Sequence, residues 1–212
     1  SFGCGEMAGK PPNGPRTRGQ AFTLEAIIAA VVVLGALLFA LQVSGVTALT
    51  ASTSTQQVLT QQGAVAAGTL DAARDTDSLR PTLLYWNEND TRFHRIPAAV
   101  DRDFYTVAPP TAFGSTLNRT LADRNVAFNV NLLYVGATGT VDRTRLVRQG
   151  RPSDDAARAT RTVTLYDDDR LLDANGTETN TTLENASFYA PDQSPDGPVY
   201  AVVRVEVVVW RV

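Results

Sequence analysis

Cysteine, methionine, histidine and lysine are almost absent from this chain. Each occurs once, as Cys4, Met7, His94 and Lys10, so the basic residues are nearly all arginine. A single cysteine excludes an internal disulfide framework or a zinc cluster. A Ser-His-Asp arrangement would have to use His94, and no glycine-rich phosphate loop is present. We therefore expect no enzymatic activity, no cofactor and no bound metal.

Acidic residues slightly outnumber basic ones, and the formal net charge is −3. A carboxylate-rich surface keeps a protein soluble at high ionic strength, so the composition is typical of archaeal, halophilic proteins. Ordinary codon bias is the alternative explanation. We expect no nucleic-acid partner.

One run of acidic residues could supply oxygen ligands for a hard cation such as calcium. Its members are Asp167, Asp168, Asp169, Asp173 and Asn175. Their spacing does not match an EF-hand loop, and a solvated loop between strands is the favoured interpretation.

The longest uncharged apolar segment runs from Ala26 to Leu41 and begins beside Glu25. A bilayer-spanning helix needs about 20 mostly apolar residues, so we predict a transmembrane helix over residues 20–49. An acid at such a helix is costly unless something neutralises it, which makes Glu25 a candidate functional residue. A secretory signal peptide, cleaved near Ala48 or Ser52, is the alternative.

Arginines lie on only one side of this segment. Arg16 and Arg18 precede it, and no basic residue follows until Arg74. This asymmetry predicts a single-pass protein of the cell membrane, with a cytoplasmic N-terminus and an extracellular C-terminal domain. Residues 1–19, rich in glycine and proline, are predicted to form a cleaved cytoplasmic leader.

A helical extension and linker are predicted over residues 50–80. A weak apolar stripe at helical spacing continues the helix to about Ala73, and Pro81 disfavours helix at the residue before it. The stripe consists of Val58, Gln62, Val65, Ala66 and Thr69.

Beyond Pro81 the apolar pattern alternates, as in half-buried strands. Val126 to Tyr134 and Arg161 to Tyr166 both show this alternation. Val199 to Val212 is apolar on both faces, which predicts a central or covered strand. Shorter strand candidates are Leu83 to Trp86 and Phe93 to Ile96.

Between these strands, Ala112 to Arg124 carries Phe113, Leu117 and Leu121 at intervals of four. This spacing predicts a short helix packed on the sheet. The expected fold is α+β: a long N-terminal transmembrane helix followed by a β-rich extracellular globular domain over residues 81–212.

Five Asn-x-Ser/Thr sequons, more than the one or two expected by chance, all follow the predicted span. They are candidate glycosylation sites on an outward-facing domain. Their asparagines are Asn89, Asn118, Asn175, Asn180 and Asn185.

The segment Arg18-Gly19-Gln20-Ala21-Phe22-Thr23-Leu24-Glu25, followed by the apolar helix, resembles the N-terminus of type IV pilins and pilin-like proteins. The resemblance implies that a prepilin peptidase cleaves between Gly19 and Gln20. It also implies that the apolar helix packs against those of other subunits, where Glu25 pairs with a neighbouring N-terminal amine. Glu25 would be sixth in the mature chain, whereas the family more often has its glutamate fifth.

We therefore expect a pilin-like surface protein, as a subunit or minor component of a type IV pilus-like assembly. Its expected partners are the membrane, a prepilin peptidase and other pilin-like subunits. The alternative is a single-pass anchored extracellular binding protein that does not polymerise.

Overall fold

The computed structural model describes the backbone of residues 16–97 and 101–211. Side chains are described for residues 25–40, 57, 60–97 and 101–211. Two compact units divide the chain, Ser1–Ser54 and Thr55–Val212. Cys4, Met7 and Lys10 lie outside the described residues.

A single helix, α1, dominates the N-terminal part of the chain. It runs over Arg16–Asp75 and contains 60 residues. It begins within the predicted leader and ends two residues beyond the predicted end at Ala73. The side chains of its last turns that face the β-rich unit are fully buried, namely Ala66, Leu70 and Ala73.

The predicted transmembrane helix is wrong. In the described part of the chain, no helix is both long and apolar enough to cross a membrane. The fold class is therefore corrected to α+β, with a long N-terminal helix and a β-rich unit.

An antiparallel sheet of four strands organises the β-rich unit, in the order β4-β3-β8-β5. The strands are β3 (Val126–Val135), β4 (Val141–Arg148), β5 (Ala157–Tyr166) and β8 (Val199–Arg211). Strand β8 pairs with β3 on one side and with β5 on the other. The prediction of a central C-terminal strand is thus confirmed.

One face of this sheet forms the core. Phe128, Val130 and Leu132 of β3 are fully buried, as the alternating pattern predicted. Helix α3 (Ala112–Thr120) and a 3-10 turn (Ala122–Arg124) pack against the same core through the predicted residues Phe113, Leu117 and Leu121. Burying apolar side chains of this size stabilises a fold by about 1.5–3 kcal/mol each.

The region after α1 differs from the prediction. The strand predicted over Leu83 to Trp86 starts later than expected: helix α2 (Leu79–Leu83) ends at Leu83, and a strand begins only at Trp86. Pro81 is tolerated there because the first backbone N–H groups of a helix have no intrahelical partner. The predicted strand from Phe93 to Ile96 is shorter than expected: β1 (Trp86–Asn87) pairs only with β2 (Arg92–Phe93).

A second small hairpin, β6 (Arg170–Leu172) with β7 (Glu178–Thr182), was not predicted. A short 3-10 turn, Leu183–Asn185, follows it. Strand β7 is polar throughout and β6 has only three residues, so neither shows the apolar alternation that marks the larger strands.

Candidate functional site

The described N-terminal part of α1 exposes an apolar surface, here called the apolar segment, over residues 26–40. All nine of its large apolar side chains are more than half exposed, from 56% to 69%. At about 100° per residue they point to every side of the helix. Contiguous exposed apolar surface of this kind marks an interaction site. The nine residues are Ile27, Ile28, Val31, Val32, Val33, Leu34, Leu37, Leu38 and Phe39.

Small residues interrupt the apolar segment. Gly35 has no described atom within 4 Å of the position where a Cβ would stand. Ala29, Ala30 and Ala36 are also exposed. Helix axes approach to about 8–10 Å depending on the side chains at their contact, so small side chains favour close helix packing.

Glu25 is exposed and stands immediately before the apolar segment. It is the one acidic side chain described between residues 25 and 40. The predicted cleavage bond, Gly19–Gln20, lies in the backbone of α1 near its start. Arg16 and Arg18 are also in this helix, but their side chains and that of Gln20 lie outside the described part of the chain.

The five sequon asparagines are all exposed, and all lie in the β-rich unit. Asn89 and Asn175 occupy turns, and Asn118 lies on α3. Asn180 is in β7, and Asn185 ends the 3-10 turn that follows it. Exposure is compatible with glycosylation of each site, which stays a prediction.

His94 holds local structure. Its Nε2 atom lies 2.9 Å from the carbonyl oxygen of Leu172, and its ring centroid lies 5.1 Å from that of Tyr85. The hydroxyl of Tyr105 donates a hydrogen bond to the backbone carbonyl of His94. The imidazole thus joins β6 to the hairpin of β1 and β2.

Two aspartates of the acidic run make contacts that hold local structure. Asp169 Oδ1 accepts a hydrogen bond from Arg80 Nη1 at 3.1 Å. Asp173 Oδ1 accepts backbone hydrogen bonds from Asn175 at 2.8 Å and Thr177 at 2.9 Å, which lower the pKa of Asp173. Among the described residues, no three His, Cys, Asp or Glu side chains are grouped so that they could hold a metal ion.

The sequence analysis missed a cluster of arginines on the outer face of the main sheet. We call it the arginine face: Arg143, Arg145, Arg148, Arg151 and Arg158. All five are exposed. Arg145 and Arg148 of β4 are three residues apart. In a regular strand, where side chains alternate between the faces, this spacing would put Arg148 on the face opposite Arg145. Only the register of the folded sheet shows that they share one face.

Comparisons with known proteins identify the family. A family model described as a family of unknown function, DUF7288, matches residues 18–209. No curated protein and no solved structure matches the chain. The match begins just before the predicted cleavage bond, two residues into α1, and ends within β8, so it covers nearly all of α1 and of the β-rich unit. The chain therefore belongs to the family of unknown function DUF7288.

Proposed function

We propose that this chain is a pilin-like surface protein, a subunit or minor component of a type IV pilus-like assembly. The observation that carries the proposal is the apolar segment, which exposes large side chains on every side of α1. A helix that is apolar all round is stable in water only when other elements surround it. The proposed neighbours are the same segments of other subunits.

The energetics favour many neighbours over one. Fully burying a Val, Leu, Ile or Phe side chain is worth about 1.5–3 kcal/mol, while association costs an estimated 4–15 kcal/mol in lost freedom of motion. A dimer would bury one side of the segment and leave the other sides exposed. A bundle of several subunits buries all nine large side chains, and this surplus supports an extended assembly.

Glu25 supplies specificity in this proposal. A lone carboxylate inside an apolar bundle is costly, but a positive group within about 4–6 Å favours its charged form. Cleavage between Gly19 and Gln20 by a prepilin peptidase would create such a group, the new N-terminal amine. Pairing between the amine of one subunit and Glu25 of another would set the axial register of the helices.

The β-rich unit is proposed to face outward from the assembly. Most of its large apolar side chains are buried in the core, whereas the asparagines of all five sequons are exposed. Glycans attached there would therefore be compatible with the folded unit.

Glu25→Gln should reduce the amount of assembled protein by at least about tenfold, because the neutral amide leaves the buried amine without its counter-charge. The measurement is the fraction of the protein that pellets with surface material sheared from its own cells. Glu178→Gln is the matched control, since Glu178 is exposed on β7. An unchanged pelleted fraction for Glu25→Gln, with normal total protein, would contradict the proposed role of Glu25.

A further inference from the structure

The arginine face lines an open groove on the outer side of the main sheet. The groove has a volume of about 400 Å³ and contains five arginines but a single carboxylate, that of Glu206. Asn131 Nδ2 donates a hydrogen bond of 2.8 Å to Glu206 Oε1. The surface is strongly positive, although the whole chain has a net charge of −3.

A bulge in β4 brings these arginines together. Val130 pairs with Val147, and the next residue of β3, Asn131, pairs with Arg145, so Leu146 is an extra residue. Leu146 and Val147 both point into the core, at 1% and 0% exposure. Bulges of this kind redirect side chains and recur beside functional sites. Here the bulge places Arg145 on the same face as Arg148.

The positive charges of the arginine face have no partners within the described chain. The two ion pairs among the described residues are Arg80 with Asp169 and Arg161 with Asp71. None of the five arginines of the face makes an ion pair or a side-chain hydrogen bond there. Guanidinium groups held together without counter-charges favour binding of a carboxylate or another oxyanion.

A complementary group of carboxylates lies at the other end of β5, and we call it the acidic end. Burial and the like charge of nearby carboxylates raise the pKa of Asp167 above its usual range. Asp167 Oδ1 is also buried without a hydrogen-bond partner. The acidic end consists of Asp167, Asp168, Glu184 and Asp192.

The two surfaces are not paired within one molecule, since no arginine of the face forms an ion pair with a carboxylate of the acidic end in the described chain. Arg158 is the second residue of β5, and Asp167 directly follows the last residue of that strand. Nine residues of extended strand, at about 3.3 Å each, separate them by roughly 30 Å. A second molecule can therefore bring its acidic end to the unpaired arginine face.

We propose that the arginine face binds the acidic end of a second copy of this chain, head to tail. Such a heterologous contact repeats from copy to copy and can propagate an open filament. Arginine and carboxylate form paired, charge-assisted hydrogen bonds, which give the contact a defined direction. The inference deepens the proposed function and rests on it, because it adds a second contact between subunits that α1 is proposed to assemble.

The composition of the groove favours a protein surface over a uniform polyanion. Glu206, Leu133 and Val208 also line it, so the groove contains a carboxylate and apolar surface beside the arginines. A chain of repeated negative charges would meet a carboxylate there. The acidic end of a folded unit can instead combine carboxylates with neutral side chains.

Charge reversal and mixing test this contact in the full-length chain. One variant carries Arg145→Glu and Arg148→Glu, and the other carries Asp168→Arg and Glu184→Arg, all at exposed positions. Both also carry Val32→Asp, which disrupts the proposed helix contact, so that association through the β-rich unit is measured alone. Sedimentation at about 0.1 M salt, where the Debye length is about 10 Å, reports the association.

We expect each variant alone to associate at least about tenfold more weakly than the Val32→Asp chain, and the mixture to recover that association. Arg119→Glu with Arg124→Glu, also exposed and in the same Val32→Asp chain, is the control and should change nothing. Circular dichroism checks that each variant is folded. Failure of the mixture to associate would overturn the contact, as would binding of polyglutamate by the Val32→Asp chain without self-association. Neither result bears on assembly through α1, which is tested separately by Glu25→Gln and Val32→Asp.

Discussion

Val32→Asp should nearly abolish assembly of this protein, whereas Val107→Asp should leave assembly unchanged. The two valines are matched, with exposures of 64% and 65%. Val32 lies in the apolar segment of α1, and Val107 lies in a loop of the β-rich unit. The substitution is the same, so only the environment in the assembly distinguishes them.

The expected loss at Val32 is large because assembly would bury the new carboxylate among apolar helices. A buried charge without a partner costs several kcal/mol, which corresponds to roughly a hundredfold or more in association. Sedimentation of the purified chain over a range of concentrations measures it. Equal assembly of the two variants would mean that the apolar segment is not an interface between subunits.

Phe93→Ala should lower the free energy of unfolding by about 3–5 kcal/mol, the usual cost of removing a buried aromatic side chain. Phe93 is 1% exposed and stands among aromatic rings. Its ring centroid lies 5.2 Å from that of Trp86, 5.6 Å from that of Tyr189 and 6.3 Å from that of Tyr105. The melting temperature should fall by roughly 10 °C, measured by near-ultraviolet circular dichroism at a concentration where the chain is monomeric.

Phe39→Ala provides the matched comparison, because Phe39 is 69% exposed in the apolar segment. It should leave the melting temperature of the β-rich unit unchanged and weaken assembly. Phe93→Ala, in contrast, should lower the melting temperature of the monomer. If Phe39→Ala instead lowered the melting temperature as much as Phe93→Ala, the apolar segment would be part of a folded core. Comparing Phe39→Ala with Phe93→Ala therefore distinguishes an effect on assembly from an effect on folding.

The elements that could be predicted from sequence are those with a dominant apolar face. Strand β3 has a large apolar residue at every second position, β8 is apolar on both sides, and the α3 region repeats its apolar residues every four positions. Each pattern follows from the geometry of a single element. Strand β4 could not be predicted in this way, since its one inward pair, Leu146 and Val147, is adjacent at a bulge.

The hairpin of β6 and β7 and the helix α2 are held by individual polar contacts, local in the hairpin and long-range for α2. Asp173 closes the turn between β6 and β7 through two backbone hydrogen bonds, while Arg80 joins α2 to Asp169. Neither contact has a periodic signature. The predicted membrane span was wrong for a different reason: it was inferred from an apolar run of sequence, and no helix in the described part of the chain is both long and apolar enough to cross a membrane.

The candidate site could be predicted only in part. Glu25 and the apolar segment are continuous in sequence, so the run of apolar residues located them. The arginine face joins β4, β5 and the loop that connects them, and it depends on the cross-strand register. The pattern of a single segment could not have predicted that Arg158 of β5 lies on the same face of the sheet as Arg148 of β4.

The first residue of the protein recovered from the surface of its own cells is the most direct test of a pilin-like subunit. N-terminal sequencing with intact mass measurement identifies it. The account predicts a chain that begins at Gln20 and retains the whole apolar segment. A chain that begins at Thr53 or later, or one that still carries Arg18 and Gly19, would contradict it.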